Sequence, residues 1–175
     1  MPDIAPGGHR LLLLRHAKAL GAAGPAGEAG DHARDLSERG LRDAMALGGT
    51  MRQRELKPDL VLVSSALRTR RTLEMLEPFE GPAPAVVPAD RFYLAEADEL
   101  LAALHEVPDT IGILLLIGHN PGLHELASYL SGGEAGAPAE LRAGMPTCTL
   151  VSLSVGGAWR DLQPRSVGNT QVIRP

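Results

Sequence analysis

The 175-residue chain reads as an α/β protein: a three-layer α/β/α sandwich around a mainly parallel central sheet, finished by a C-terminal β-hairpin. Three observations predict it. The short apolar runs LLLL (residues 11–14) and IGILLLI (111–117) suit strands covered on both faces. Between and after them lie segments whose apolar residues recur at helical spacing, so that strands and helices alternate as parallel sheets require. Near the C-terminus, residues 149–155 alternate apolar and polar and are followed by Gly156-Gly157, a two-residue hairpin turn.

Residues 1–8 carry two prolines and two glycines with little to bury and read as a lead-in. The first strand follows and stops at Arg15-His16. On their own, four leucines and a basic pair also fit a buried helix segment with a solvated end. Residues 19–30, ALGAAGPAGEAG, show no periodicity and read as a loop able to serve as a flap. Ser37 is a plausible N-cap for a helix with Leu41, Ala44, Met45, Gly48 and Met51 along one face. Pro58-Asp59 ends that pattern, and residues 60–63 form a second strand running into Ser64-Ser65. Either serine caps the next helix, 66–76, whose buried stripe is Leu67, Leu73 and Leu76. Arg68 then falls in the first helical turn, where a cation opposes the macrodipole and local stability gives no reason for it. An anionic ligand does.

An edge strand at 85–87 should be ended by Pro88. A helix over 97–107 buries Ala97, Leu100, Leu101, Leu104 and Val107 before Pro108 stops it. The central strand 111–117 leads into Gly118-His119-Asn120-Pro121-Gly122, where Asn120 as N-cap and Pro121 as first helical residue start a helix burying Leu123, Leu126, Ala127 and Leu130. After a Gly/Ala/Pro-rich loop comes the alternating strand, with 158–162 as its hairpin partner; 163–175 carry no signal. One domain over residues 9–163 with tails at 1–8 and 164–175 is expected.

Composition narrows the function. With 44% hydrophobic and 22% charged residues and no apolar run near the roughly 20 residues that span a bilayer, membrane insertion is not expected. The first ten residues lack a basic start and an apolar core, so a cytoplasmic location is expected. The net charge of −4 argues against a nucleic-acid surface. The single cysteine, Cys148, has no partner for a disulfide or a zinc site and reads as core filler. His9, His32, His105, His124 and Lys18 read as surface residues, and Trp159 and Met145 as packing residues. His119 and His124 are spaced i, i+5, not the i, i+4 of HExxH, and no acidic cluster completes a metal site. No GxGxxG follows the first strand, which argues against a dinucleotide.

Arg15-His16, Arg68 and His119 each follow the end of an apolar strand within a few residues. Parallel strands bring such ends to one edge of the sheet. Two guanidinium groups and two imidazoles there suit a phosphoryl group, because arginine offers planar paired hydrogen bonds to phosphate oxygens.

These residues also carry a resemblance. Arg-His-Ala at the end of strand one, SxxxRTxxT from Ser64 to Thr72, and GHNPG from Gly118 to Gly122 stand in an order that resembles the histidine phosphatase superfamily, in particular its SixA-like phosphohistidine phosphatase branch. The resemblance spans residues 11–153 and implies the phosphoglycerate-mutase-like fold. By matching position it implies His16 as the nucleophile that becomes phosphorylated, with Arg15, Arg68 and a protonated His119 around the phosphoryl group. It implies Arg34, in the DxxRxLSxxG stretch from Asp31 to Gly40, as a further substrate-binding arginine; Asn120 is a second substrate-binding candidate. No metal or cofactor is implied. Two departures stand out: Arg71 occupies the place of a glutamine, and residues 91–95, RFYLA, lack the glutamate general acid of the mutase-like branches, leaving Glu96 as the nearest candidate. A phosphoramidate's imidazole leaves more readily than an alkoxide, so this favours phosphohistidine over an ester. A single short helix between Tyr93 and Ile111 leaves no room for the lid of the sugar-phosphate members. The expected partner is a histidine-phosphorylated signalling or phosphotransfer protein; the alternatives are a small phosphate ester or a non-catalytic phosphate-binding module.

Overall fold

The computed structural model describes residues 8–21, 27–76, 79 and 81–175. The proposed flap falls partly on 22–26, outside the described residues. β1 (His9–Arg15) is followed by a short helix, α1 (Glu28–His32), which begins inside the stretch expected to be loop. α1 buries no residue, so no apolar periodicity announces it. α2 (Glu38–Gln53) starts as expected, with Ser37 Oγ accepting from the Gly40 N–H at 3.1 Å. Its buried face is Gly40, Ala44, Leu47, Gly48 and Met51; Met45 is exposed and Leu47 takes the inward place assigned to it. Gly40 is required, since a Cβ there would lie 2.1 Å from the Lys18 carbonyl oxygen.

β2 (Leu60–Ser64) and α3 (Leu67–Leu76) follow. α3 buries Arg68, Thr69, Thr72, Leu73 and Leu76, while Leu67 is only half-buried. β3 (Ala85–Ala89) continues through Pro88 rather than ending there. It is an edge strand, where a missing N–H costs no ladder hydrogen bond if that side faces solvent. After a turn of 3-10 helix (Asp90–Phe92) come α4 (Ala97–His105), β4 (Ile113–Gly118) and α5 (Gly122–Leu130). Two four-residue helices, α6 (Gly133–Gly136) and α7 (Ala139–Arg142), lead to β5 (Leu150–Val155), and the chain closes with β6 (Val167–Ile173).

The C-terminal hairpin is therefore β5–β6, and its second strand lies in the segment read as a tail. Residues 158–162, assigned to that strand, contain a 3-10 turn at Trp159–Asp161 instead. β6 escapes detection because only Ile173 of its seven residues is buried, which leaves no apolar face to see.

The six strands run in the order β3-β2-β4-β1-β5-β6. The β2–β3, β2–β4 and β1–β4 pairs are parallel, and β5 joins β1 antiparallel. Alternate strand residues serve opposite faces. Leu11 and Leu13 pack in a core with α4 and α5, including Leu100, Leu104, Leu123 and Leu126. Leu12 and Leu14 pack in a second core with α2 and α3, including Leu47, Met51, Leu73 and Leu76. Two cores flanking one sheet are the three expected layers, and each fully buried leucine contributes roughly 1.5–3 kcal/mol of transfer free energy. His9, expected at the surface, is buried and stacks on Trp159 with ring centres 5.1 Å apart.

Candidate active site

The parallel ladder sets the site. Arg15 pairs with Gly118 across β1–β4, so His16 and His119 are the next residues on neighbouring strands, with ring centres 5.2 Å apart. The His16 N–H donates to the Gly118 carbonyl at 3.1 Å, continuing the ladder one step beyond the strand. β2 ends beside them and brings Ser64, with Arg68 one helical turn into the chain that follows.

His16 is half-buried, and its Nδ1 lies 2.7 Å from the Ala17 carbonyl oxygen. A carbonyl only accepts, so Nδ1 carries the proton and Nε2 keeps its lone pair. Burial lowers its pKa to about 4: the Ala17 hydrogen bond opposes this, and the charges of Arg68, Arg15 and Arg34 add to it. The imidazole is neutral near pH 7.

His119 is 3% exposed. Its Nδ1 accepts from Arg68 Nη2 at 3.2 Å and its Nε2–H donates to Ser64 Oγ at 2.8 Å. Burial first, then the positive charge of Arg68, lowers its pKa to about 3. The protonated His119 expected from the resemblance is therefore neutral at rest, because a buried imidazole beside a guanidinium cannot readily hold a second positive charge.

Arg68 is itself 3% exposed. Its Nη1 donates to the Asp31 carbonyl oxygen at 2.6 Å and its Nη2 to Asp31 Oδ2 at 2.9 Å, while the guanidinium lies 5.8 Å from the centre of the Tyr93 ring. Asp31 Oδ2 also accepts from the Tyr93 hydroxyl at 2.8 Å, and its Oδ1 accepts from Arg34 Nη1 at 2.9 Å. Arg34 is held in turn by the Leu20 carbonyl, 2.8 Å from its Nε. Desolvation works to raise the Asp31 pKa, but hydrogen bonds from Arg34 and Tyr93 and the charge of Arg68 bring it down to about 2.

Arg15 Nη1 and Asn120 Nδ2 both donate to the Met145 carbonyl oxygen, at 2.8 and 2.9 Å, tying the segment before β5 to the site. Asn120 is thus not the expected N-cap. Pro121, joined to it by a cis peptide, holds that position. Of the two serines read as caps, Ser64 Oγ accepts from the Ala66 N–H at 3.4 Å and also serves His119, and Ser65 Oγ lies 2.8 Å from His32 Nε2. His32, expected at the surface, is half-buried with its ring 4.9 Å from that of Tyr93.

The structure brings together Arg15, His16, Arg34, Arg68, His119 and Asn120. Glu96 is exposed at the start of α4, where its N–H bonds the Glu99 carboxylate at 2.9 Å, and it is not joined to this cluster. Sequence reasoning missed Asp31, Tyr93 and Ser64. Asp31 opens the stretch that contains Arg34, and Tyr93 lies in the segment noted only for its lack of a carboxylate. Arg71, which stands in the place of a glutamine, pairs with Asp35 at 3.4 Å and Glu74 at 2.7 Å.

A three-layer sheet protein with a neutral imidazole framed by arginines at the carboxyl ends of its central strands defines a phosphoglycerate-mutase-like protein with an anion site. No family model matches the chain. It is 36% identical over 154 residues to an uncharacterised protein of Mycobacterium tuberculosis, covering 86% of this chain and 92% of that one. Among solved structures, it is 31% identical to a candidate phosphohistidine phosphatase SixA from Nakamurella multipartitia, with a TM-score of 0.76 and coverage of 97% and 98% of the two chains. It is 32% identical to a candidate phosphohistidine phosphatase SixA from Agrobacterium tumefaciens, with a TM-score of 0.74 and coverage of 84% and 92%. The chain belongs to the histidine phosphatase superfamily, in its SixA-like branch. Among the described residues, no helix is long and apolar enough to cross a membrane.

Proposed function

We propose that this chain is a phosphatase that works through a phosphorylated His16 and takes its phosphate from phosphohistidine on proteins. The observation that carries the reading is the state of His16: Nδ1–H is held by the Ala17 carbonyl, so Nε2 presents a lone pair, and burial with three nearby arginines keeps it unprotonated. A neutral nucleophile facing cationic groups is what attack on a phosphoryl anion needs.

In the first step the Nε2 lone pair forms a bond to phosphorus while the bond to the leaving nitrogen breaks; the substrate ring, protonated on its other nitrogen, takes the electron pair and departs as neutral imidazole. In the second, water attacks phosphorus and the bond to His16 breaks, releasing inorganic phosphate and a neutral imidazole. Arg15, Arg34 and Arg68 stabilise charge on the phosphoryl oxygens. Loss of one such donor costs on the order of 10²- to 10³-fold in rate. A bound phosphoryl dianion offsets the Arg68 charge beside His119 and so favours proton uptake there, against the burial that chiefly keeps the ring neutral.

The substrate class is supported by three features. The two SixA structures are themselves described as candidate phosphohistidine phosphatases. The Glu96 carboxylate does not join the cluster, and the Asp31 carboxylate is held ionised, which suits a leaving group that needs little help. The test is to compare wild type and His16→Ala on a histidine-phosphorylated protein and on small phosphomonoesters. Wild type should form a stoichiometric, acid-labile phosphoenzyme and prefer the protein, while His16→Ala should do neither. Turnover by His16→Ala would refute the nucleophile, and a strong preference for the small esters would refute the substrate class.

A further inference from the structure

Resting on the phosphatase reading of this pocket, we propose that Asp31 is an internal competitor for the phosphate-binding donors. Its carboxylate bridges Arg68 and Arg34 in the resting protein, yields them to the phosphoryl group, and thereby sets how tightly the pocket holds phosphate.

The geometry is that of one anion standing where another must bind. Oδ1 accepts from Arg34, and Oδ2 accepts from both Arg68 and Tyr93, all within 2.8–2.9 Å. Carboxylate and phosphate oxygens use the same planar guanidinium donors. Arg68 is buried, so it has few ways to serve both anions at once. Arg15, Arg34 and Arg68 around His16, set against one carboxylate, leave a net charge of about +2, which matches a phosphoryl dianion. Without the carboxylate the pocket would hold phosphate more strongly than turnover requires, since the product carries the same charge as the transferred group.

The element that carries the competitor is built to yield. α1 has five residues, none of them buried, and no side chain caps its start, where Gly27 adopts φ 109°. Its attachment is mostly polar, Asp31 to Arg68 through side chain and backbone carbonyl and to Tyr93, and His32 to Ser65, with the His32 ring against that of Tyr93. A segment with no apolar burial opens locally at little cost. A role for Asp31 as proton donor fits less well, because the same three partners hold it ionised in the resting state.

The experiment is calorimetric titration of wild type, Asp31→Asn and Asp31→Ala with inorganic phosphate, with steady-state kinetics on an aryl and an alkyl phosphate. Both variants should bind phosphate about tenfold more tightly or better, with a lower KM and stronger product inhibition. Unchanged or weaker phosphate binding in either variant would overturn the proposal and leave Asp31 as a positioning residue for Arg68. A rate loss confined to the alkyl ester, with unchanged phosphate affinity, would overturn it in favour of proton donation. Turnover by His16→Ala, or a wild type that neither binds nor releases phosphate, would instead defeat the phosphatase reading on which the proposal rests.

Discussion

Nη2 of Arg68 lies 3.2 Å from Nδ1 of His119, and this contact decides which nitrogen of the imidazole carries the proton. A guanidinium only donates, so Nδ1 accepts and Nε2–H is left to Ser64. The site at rest thus holds two neutral imidazoles among arginines.

Both imidazoles should therefore titrate far below an ordinary histidine. The folded-state pKa values are about 4 for His16 and about 3 for His119, against about 6.5 in an unfolded chain. Between these values the unfolded state binds more protons than the folded one. The stability from both groups is fully present above about pH 6.5 and is lost as pH falls through the folded values. Imidazole proton resonances followed by NMR, with denaturant midpoints across the same range, measure this directly. A midpoint near 6.5 for either residue would contradict the burial of both rings among the arginines.

Replacing Ser64 by alanine removes the acceptor for a buried imidazole N–H. Ser64 is fully buried and its hydroxyl lies 2.8 Å from His119 Nε2. An orphaned buried donor costs about 1–3 kcal/mol. Ser64→Ala should lose stability by that amount in urea unfolding and shift the His119 nitrogen resonances. An unchanged midpoint would show that the hydroxyl makes no net contribution.

Gly122, the last residue of the GHNPG motif, admits no side chain. A Cβ there would lie 2.0 Å from the Ala95 carbonyl oxygen, a backbone atom that cannot rotate away. Gly122→Ala should cost about 1–3 kcal/mol and lower activity, because relief must move the β4–α5 corner that holds His119. Gly157→Ala, with open space around its Cβ, should stay within about 0.5 kcal/mol of wild type when thermal melts of the two variants are compared.

The cationic and imidazole part of this site was legible because each residue follows a strand that announces itself. Leu11 to Leu14 and the run before Gly118 have strong apolar patterns, and the rule that parallel strands deliver their ends to one edge places Arg15, His16, Arg68 and His119 together. Asp31 was not legible. It sits on a helix with no buried residue, and it meets Arg68 and Tyr93 across 37 and 62 positions in sequence, where no local pattern reaches. Ser64, one of two serines that read as caps of the next helix, also serves His119 across 55 positions, a partner no local pattern reaches. Pro88 and β6 failed for the related reason that edge strands need not bury a face.

The Arg15–Gly118 register has a consequence for how the protein fails. His16 and His119 are rooted in β1 and β4, the two innermost strands, so the proposed nucleophile stands on the part of the sheet with neighbours on both sides. Turnover is then a gauge of the intact sheet, and inactivation on warming reports collapse of the whole rather than erosion of a rim. The carboxylate of Asp31 belongs to the opposite extreme, carried on a five-residue helix with no buried residue.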